Sequence, residues 1–114
     1  MNIFGQKLFG AKYPDTITEA GLVGLLAKEN LDQALIDSIK KKILISLEKH
    51  HSKGIIVHGH QECAGNPVLD NKHKEDVRRS VAIIKSLIDS SVPVVGVFVK
   101  RSFEESSKWE VEEV

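Results

Sequence analysis

The sequence predicts a single α/β domain over residues 1–114, a small three-layer fold around a mostly parallel sheet. Three observations lead to that expectation. Two apolar, β-branched runs, "GIIVHG" (Gly54–Gly59) and "VPVVGVFV" (Val92–Val99), read as buried strands. Between them Val77, Val81, Ile84 and Ile88 recur at helical spacing, so strand, helix and strand form a βαβ unit with parallel strands and a right-handed crossover. A chain of 114 residues also has room for one modest core and no second one.

The other elements follow in order. Ile3, Leu8 and Phe9 are the apolar positions of an opening helix that Gly10 ends and Pro14 stops. "DTITEAG" (Asp15–Gly21) is short and β-branched, which suits a strand end or a strand-to-helix turn. Leu22 to Lys28 supplies a helical turn or two. Asn30 is placed as an N-cap, with Gln33 three residues on in the capping-box position. Leu31, Leu35, Ile39, Ile43 and Leu47 then recur every four residues, the stripe of an amphipathic helix of about five turns. The helix of Val77 begins near Asp70 to His73, and the alternating tail "KWEVEEV" reads as an edge strand.

Composition narrows the function classes. Sixteen basic and sixteen acidic residues cancel, and Lys40-Lys41-Lys42 is too short for a basic stripe, so no nucleic-acid partner is expected. No run approaches the roughly 20 apolar residues of a membrane span, and "MNIFGQKLFGAKYP" lacks the pattern of a secretory signal. The single cysteine rules out an internal disulfide and favours a reducing, cytoplasmic setting.

Chemistry concentrates in "VHGHQECAGNP" (Val57–Pro67). His60 and Cys63 are three positions apart, and imidazole and thiolate are zinc-type donors that can converge from a single turn. The plain alternative is a buried cysteine beside a hydrogen-bonded histidine. The pair begins where a buried strand ends, which is where α/β sheets place ligands, and Gly59, Ala64 and Gly65 keep the backbone open. His58, two residues before His60, points to the same side in an extended strand. It is a packed histidine or a further ligand, and Glu62 is an exposed carboxylate or a ligand or proton shuttle. Asp15 and Glu19 line the same pocket if their segment also ends a strand. His50 and His51 suit the negative end of the long helix, and His73 is expected to be solvated at a helix start.

"IIVHGHQECAG" resembles the second metal-binding motif of the β-class carbonic anhydrases, and "DTITEAG" resembles the segment between that family's first and second motifs. "CAGNP" with "ITE-x-G" and a short Trp-containing end is similar to a small carbonic-anhydrase-like branch in bacteria and archaea. The resemblance runs from about Tyr13 onward, and "GHQECAGNP" is its most specific part. It implies a β-carbonic-anhydrase-like fold, zinc (Zn2+) as cofactor with His60 and Cys63 as the second and third protein ligands, a homodimer, and reversible hydration of carbon dioxide to bicarbonate as a zinc lyase, or carbonate dehydratase.

The family's first ligand belongs to a Cys-x-Asp-x-Arg motif at the end of its first strand. That motif has no counterpart in this sequence, where Arg78, Arg79 and Arg101 all follow the loop. The first strand is expected to be missing, zinc binding to be incomplete, and hydration to be weak or absent unless His58 or Glu62 replaces the lost ligand. The alternative is a non-catalytic module that keeps the scaffold and binds a small molecule or an anion such as bicarbonate. A thiol function of Cys63 ranks last for want of a resolving cysteine.

Overall fold

A computed structural model describes residues 2–10, 14–101 and 108–114. Three strands form one sheet in the order β1-β2-β3: β1 (Ile55–His60), β2 (Val94–Arg101) and β3 (Trp109–Glu113). β1 lies parallel to β2, with Ile55 opposite Val94 and His60 opposite Val99. β3 lies antiparallel to β2, with Val97 opposite Glu113 and Arg101 opposite Trp109. The sheet is therefore mixed rather than mostly parallel. Residues 102–107 are too few for the crossover that a parallel strand would need. The structure defines an α/β fold with a small mixed sheet.

Four helices accompany it: α1 (Asn2–Phe9), α2 (Leu22–Leu26), α3 (Gln33–Lys49) and α4 (Asp70–Leu87). α4 connects β1 to β2 and packs on both, and α2 packs on α4 and β1. Phe9 of α1 lies against Gly54, just before β1, whereas Leu8 is exposed. The side chain of Ile3 and the placement of Tyr13 lie outside the described residues. Of the two readings of "DTITEAG", the strand does not form but the turn into a helix does: residues 14–19 have no regular structure and turn at Ala20-Gly21 into α2. Asp15 is drawn instead to the end of α3, where its carboxylate accepts from Ser46 Oγ (2.6 Å) and His50 Nδ1 (2.7 Å).

α3 starts two residues later than the Asn30 cap would place it. Asp32 is extended, and its Oδ1 accepts from the N–H groups of Ala34 (3.0 Å) and Leu35 (3.2 Å). Gln33 is thus the first helical residue, and its amide donates to Asp37 instead of closing a capping box. Ile36, Ile39 and Ile43 are buried with Leu26, Ile84 and Val94 as one core cluster. At its end His51 adopts a left-handed φ of 54°, and the Ser52 N–H reaches back to the Ser46 carbonyl (3.3 Å).

α4 has no side-chain cap at Leu69, and Asp70 in its first turn complements the helix dipole. Its inward face is His73, Asp76, Val77, Ser80 and Ile84. Val77 and Ser80 of α4 and Val97 and Phe98 of β2 are completely buried. Ser80 Oγ donates to the carbonyls of Asp76 (2.8 Å) and Val23 (3.0 Å), which fastens α2 to α4. Among the described residues, no helix is long and apolar enough to cross a membrane.

Candidate functional site

β1 delivers His58 and His60 to one side of the strand, with Gly59 between them facing the other way. Both histidines are exposed and Gly59 is buried. Gly59 needs to be small, because a Cβ there would lie 2.5 Å from Nε2 of His73. That observation corrects the expectation for His73. The residue is only 3% exposed, and its ring meets the ring of Phe98 edge-on at 5.3 Å and lies 6.5 Å from the ring of His60. The first turn of α4 faces the sheet, so a histidine there is packed rather than solvated.

Beyond β1 the chain turns sharply. The Gln61 N–H extends the ladder to the Val99 carbonyl (2.8 Å), and Glu62 takes a left-handed φ of 59°. Cys63 is half-buried, and its carbonyl accepts from the Asn66 N–H (3.3 Å). Asn66 is buried; its side chain donates to Asp76 Oδ2 (3.1 Å), while Lys72 holds the other oxygen of that carboxylate at 2.5 Å. The next contact joins the loop to the start of α2: Gly65 lies directly against Gly21. The "EAG" and "CAGNP" stretches are thus brought together in space.

A concavity of about 1090 Å³ opens between β1, α3, residues 14–19 and this loop. Asp15, Glu19, His58, His60 and Cys63 all line it, as do His73 and Asn66. Glu62 and Gly65 do not. Glu62 is turned to Arg101, 2.9 Å from its guanidinium, and Gly65 is used in backbone packing. Asp15 reaches the concavity from a coil rather than from a strand end.

Electrostatics separates the histidines. Partial desolvation pushes His58 below the ordinary imidazole value, and positive charge on His60 adds to the effect. Burial does the same to His73, outweighing the Asp76 and Asp70 carboxylates that pull the other way. Asp15 is held below the usual carboxylate range by its hydrogen bonds from Ser46 and His50.

Gln61, Asn66 and Asp76 were not legible as site residues from the motif. Gln61 carries no metal-type donor, and Asn66-Pro67 reads as a helix breaker. Asp76 did leave a trace: His73, Asp76, Val77, Ser80 and Ile84 share one helical face, so polar residues interrupt a stripe that should be core.

Fold and site together define a class: α/β proteins with candidate metal donors at the end of a parallel strand and on the loop after it. Within it, the chain belongs to a carbonic-anhydrase-like family, since the family described as "Putative carbonic anhydrase" matches residues 2–114. No curated protein and no solved structure shows a significant match.

Such a family implies zinc in general. Among the described residues, however, no three His, Cys, Asp or Glu side chains are grouped to hold a metal ion. The donors present do not fit a complete zinc centre.

Proposed function

We propose that this chain is a β-carbonic-anhydrase-like protein in which His60 and Cys63 form a zinc half-site, with little or no carbon dioxide hydratase activity. The supporting observation is the pairing of those two donor types on one concavity at the carboxyl end of β1, without a third donor beside them among the described residues. A catalytic zinc needs three protein ligands and an open position to bring a bound water near neutral pKa. No catalytic step is therefore assigned to this chain through a metal.

The chain's own residues set out the rest of the site. His58 and Glu19 stand on the same concavity, so either can contact a small ligand there. A second reading, a non-catalytic module for an anion such as bicarbonate, is favoured by the shortage of donors and by the small-residue loop Ala64-Gly65. The depressed basicity of His58 counts against it, since a neutral imidazole attracts anions poorly.

We extend the proposal to a cytoplasmic homodimer. Among the described residues β1 pairs with β2 alone, leaving its other edge and the neighbouring apolar wall of the concavity for a partner to cover. A third layer and further parallel strands would then belong to the assembled fold.

Metal analysis of protein purified without chelators is the test. Zinc that is bound weakly, and lost in Cys63→Ser and in His60→Ala, supports the half-site; no zinc in the unaltered chain removes it. Hydration of carbon dioxide measured alongside distinguishes enzyme from module, and robust turnover would overturn the proposed inactivity.

A further inference from the structure

We propose that residues 14–19 form a latched strap, which swings away from the end of α3 and so governs the access of small apolar molecules to the floor of the concavity. The inference does not depend on zinc, since none of its residues is a proposed donor. Every residue from Pro14 to Glu19 lines the concavity, and none is in a helix or strand. Among the described residues, residues 14–18 make no backbone hydrogen bond. Glu19 accepts from the Leu22 N–H (3.1 Å) where the chain turns into α2 and Gly21 is seated against Gly65, so this end is fixed. The segment has two other holds. The first is Ile17, which is partly buried against the core cluster that contains Leu26, Ile39 and Ile43, while the rest of the segment is exposed. Those three residues also line the concavity, so lifting Ile17 away bares an apolar floor.

The second hold is Asp15. A carboxylate can only accept, so Ser46 Oγ (2.6 Å) and His50 Nδ1 (2.7 Å) both donate to its Oδ2. Ser46 has then given its one hydrogen, and Ser52 Oγ, 2.6 Å away, donates to Ser46 in turn. The end of α3 builds this catch without the strap: the left-handed turn at His51 and the bond from the Ser52 N–H to the Ser46 carbonyl (3.3 Å) bring the two serines together. Catch and strap are separate pieces joined by side chains. The Asp15 side chain is 42% exposed and that of His50 59%, and polar contacts that face water hold weakly. A segment with no backbone ladder, one half-buried apolar side chain and an exposed latch lies at the low-stability end of a fold, and it opens before the helices around it.

The test is thiol labelling of the full chain in a Cys63→Ser background. Ile17→Cys puts a thiol on the strap. Val77→Cys puts one in α4, at a completely buried position that does not line the concavity, as the control. Asp15→Ala, added to each, should speed labelling at position 17 about threefold or more and leave position 77 unchanged. Ser46→Ala and His50→Ala each remove one donor and should act in the same direction. Should Val77→Cys not fold, Val94→Cys, also buried and away from the concavity, takes its place. The neutral fluorescent probe N-phenyl-1-naphthylamine, titrated into chains that keep Ile17, reads access to the floor. Its affinity should rise with Asp15→Ala in proportion to the open fraction. Equal labelling at position 17 with and without Asp15 would overturn the latch. Equal acceleration at both positions would overturn it too, because the whole fold would then have loosened. An unchanged probe affinity would overturn the control of access.

Discussion

Gly21 and Gly65 meet backbone to backbone: a Cβ built on Gly21 would fall 2.1 Å from the Gly65 carbonyl oxygen, and one on Gly65 would fall 2.5 Å from the Gly21 nitrogen. Gly21 also has a left-handed φ of 65°, which side chains rarely tolerate. The cysteine-bearing loop is thereby seated on the turn that begins α2. Neither backbone can move aside as the end of a flexible side chain would. Gly65→Ala should therefore cost about 1–3 kcal/mol, and Gly21→Ala more, because backbone strain is added to the clash. Urea unfolding measures both. A loss below about 0.5 kcal/mol for Gly65→Ala would mean that the loop is not seated in this way.

Asp76 is the second anchor of that loop, and it is 3% exposed. Removing its carboxylate leaves the buried Asn66 amide without its acceptor and frees Lys72. Asp76→Ala should destabilise the chain by about 2–4 kcal/mol. Asp76→Asn keeps one acceptor and should cost less. Equal unfolding midpoints for the two variants would show that burial, not the hydrogen bond, determines the loss.

The helix caps give a sharper contrast. Asp32→Ala removes the acceptor of two N–H groups at the start of α3 and should cost about 1 kcal/mol. Asn30→Ala should change stability by no more than a few tenths of that. The reverse order would return the start of the helix to Asn30.

Stability should also fall on mild acidification. His73 is depressed below 6.5 by burial, so between its folded value and 6.5 the unfolded chain binds more protons than the folded one. The stability associated with a neutral His73 is complete above 6.5 and is lost as pH falls through that window. His58 is shifted in the same direction and contributes with the same sign. Unfolding followed from pH 7.5 to 5 should therefore slope less in His73→Leu, and less again with His58→Gln added. An unaltered slope in the double variant would assign the acid sensitivity to other groups. Asp15, which is held low by Ser46 and His50, acts only below the ordinary carboxylate range.

Much of the architecture was legible from periodicity. The stripe ending in Leu47, the two apolar runs and the alternating tail produced α3, β1, β2 and β3 close to where they were expected. Each is a repeating local pattern that burial enforces residue by residue. The placement of His60 and Cys63 at the carboxyl end of β1 was legible for a related reason, since the end of a buried strand can be located from composition alone. What failed was short or polar. "DTITEAG" has strand-forming residues but no strand partner, because Asp15 is bonded to α3 instead. Asn30 and Asp32 are both competent caps, and only the turn geometry chose between them.

The amino-acid sequence by itself determined the α/β class, the βαβ core and the position of His60 and Cys63 at and just beyond the end of β1, because apolar spacing and strand ends are local properties. Tertiary structure alone decided that His73 is buried over Gly59, that Gly21 and Gly65 touch, and that Gln61 joins β2 to α4. Those contacts unite residues far apart in the chain, and their energies depend on distances of tenths of an ångström that no local pattern encodes.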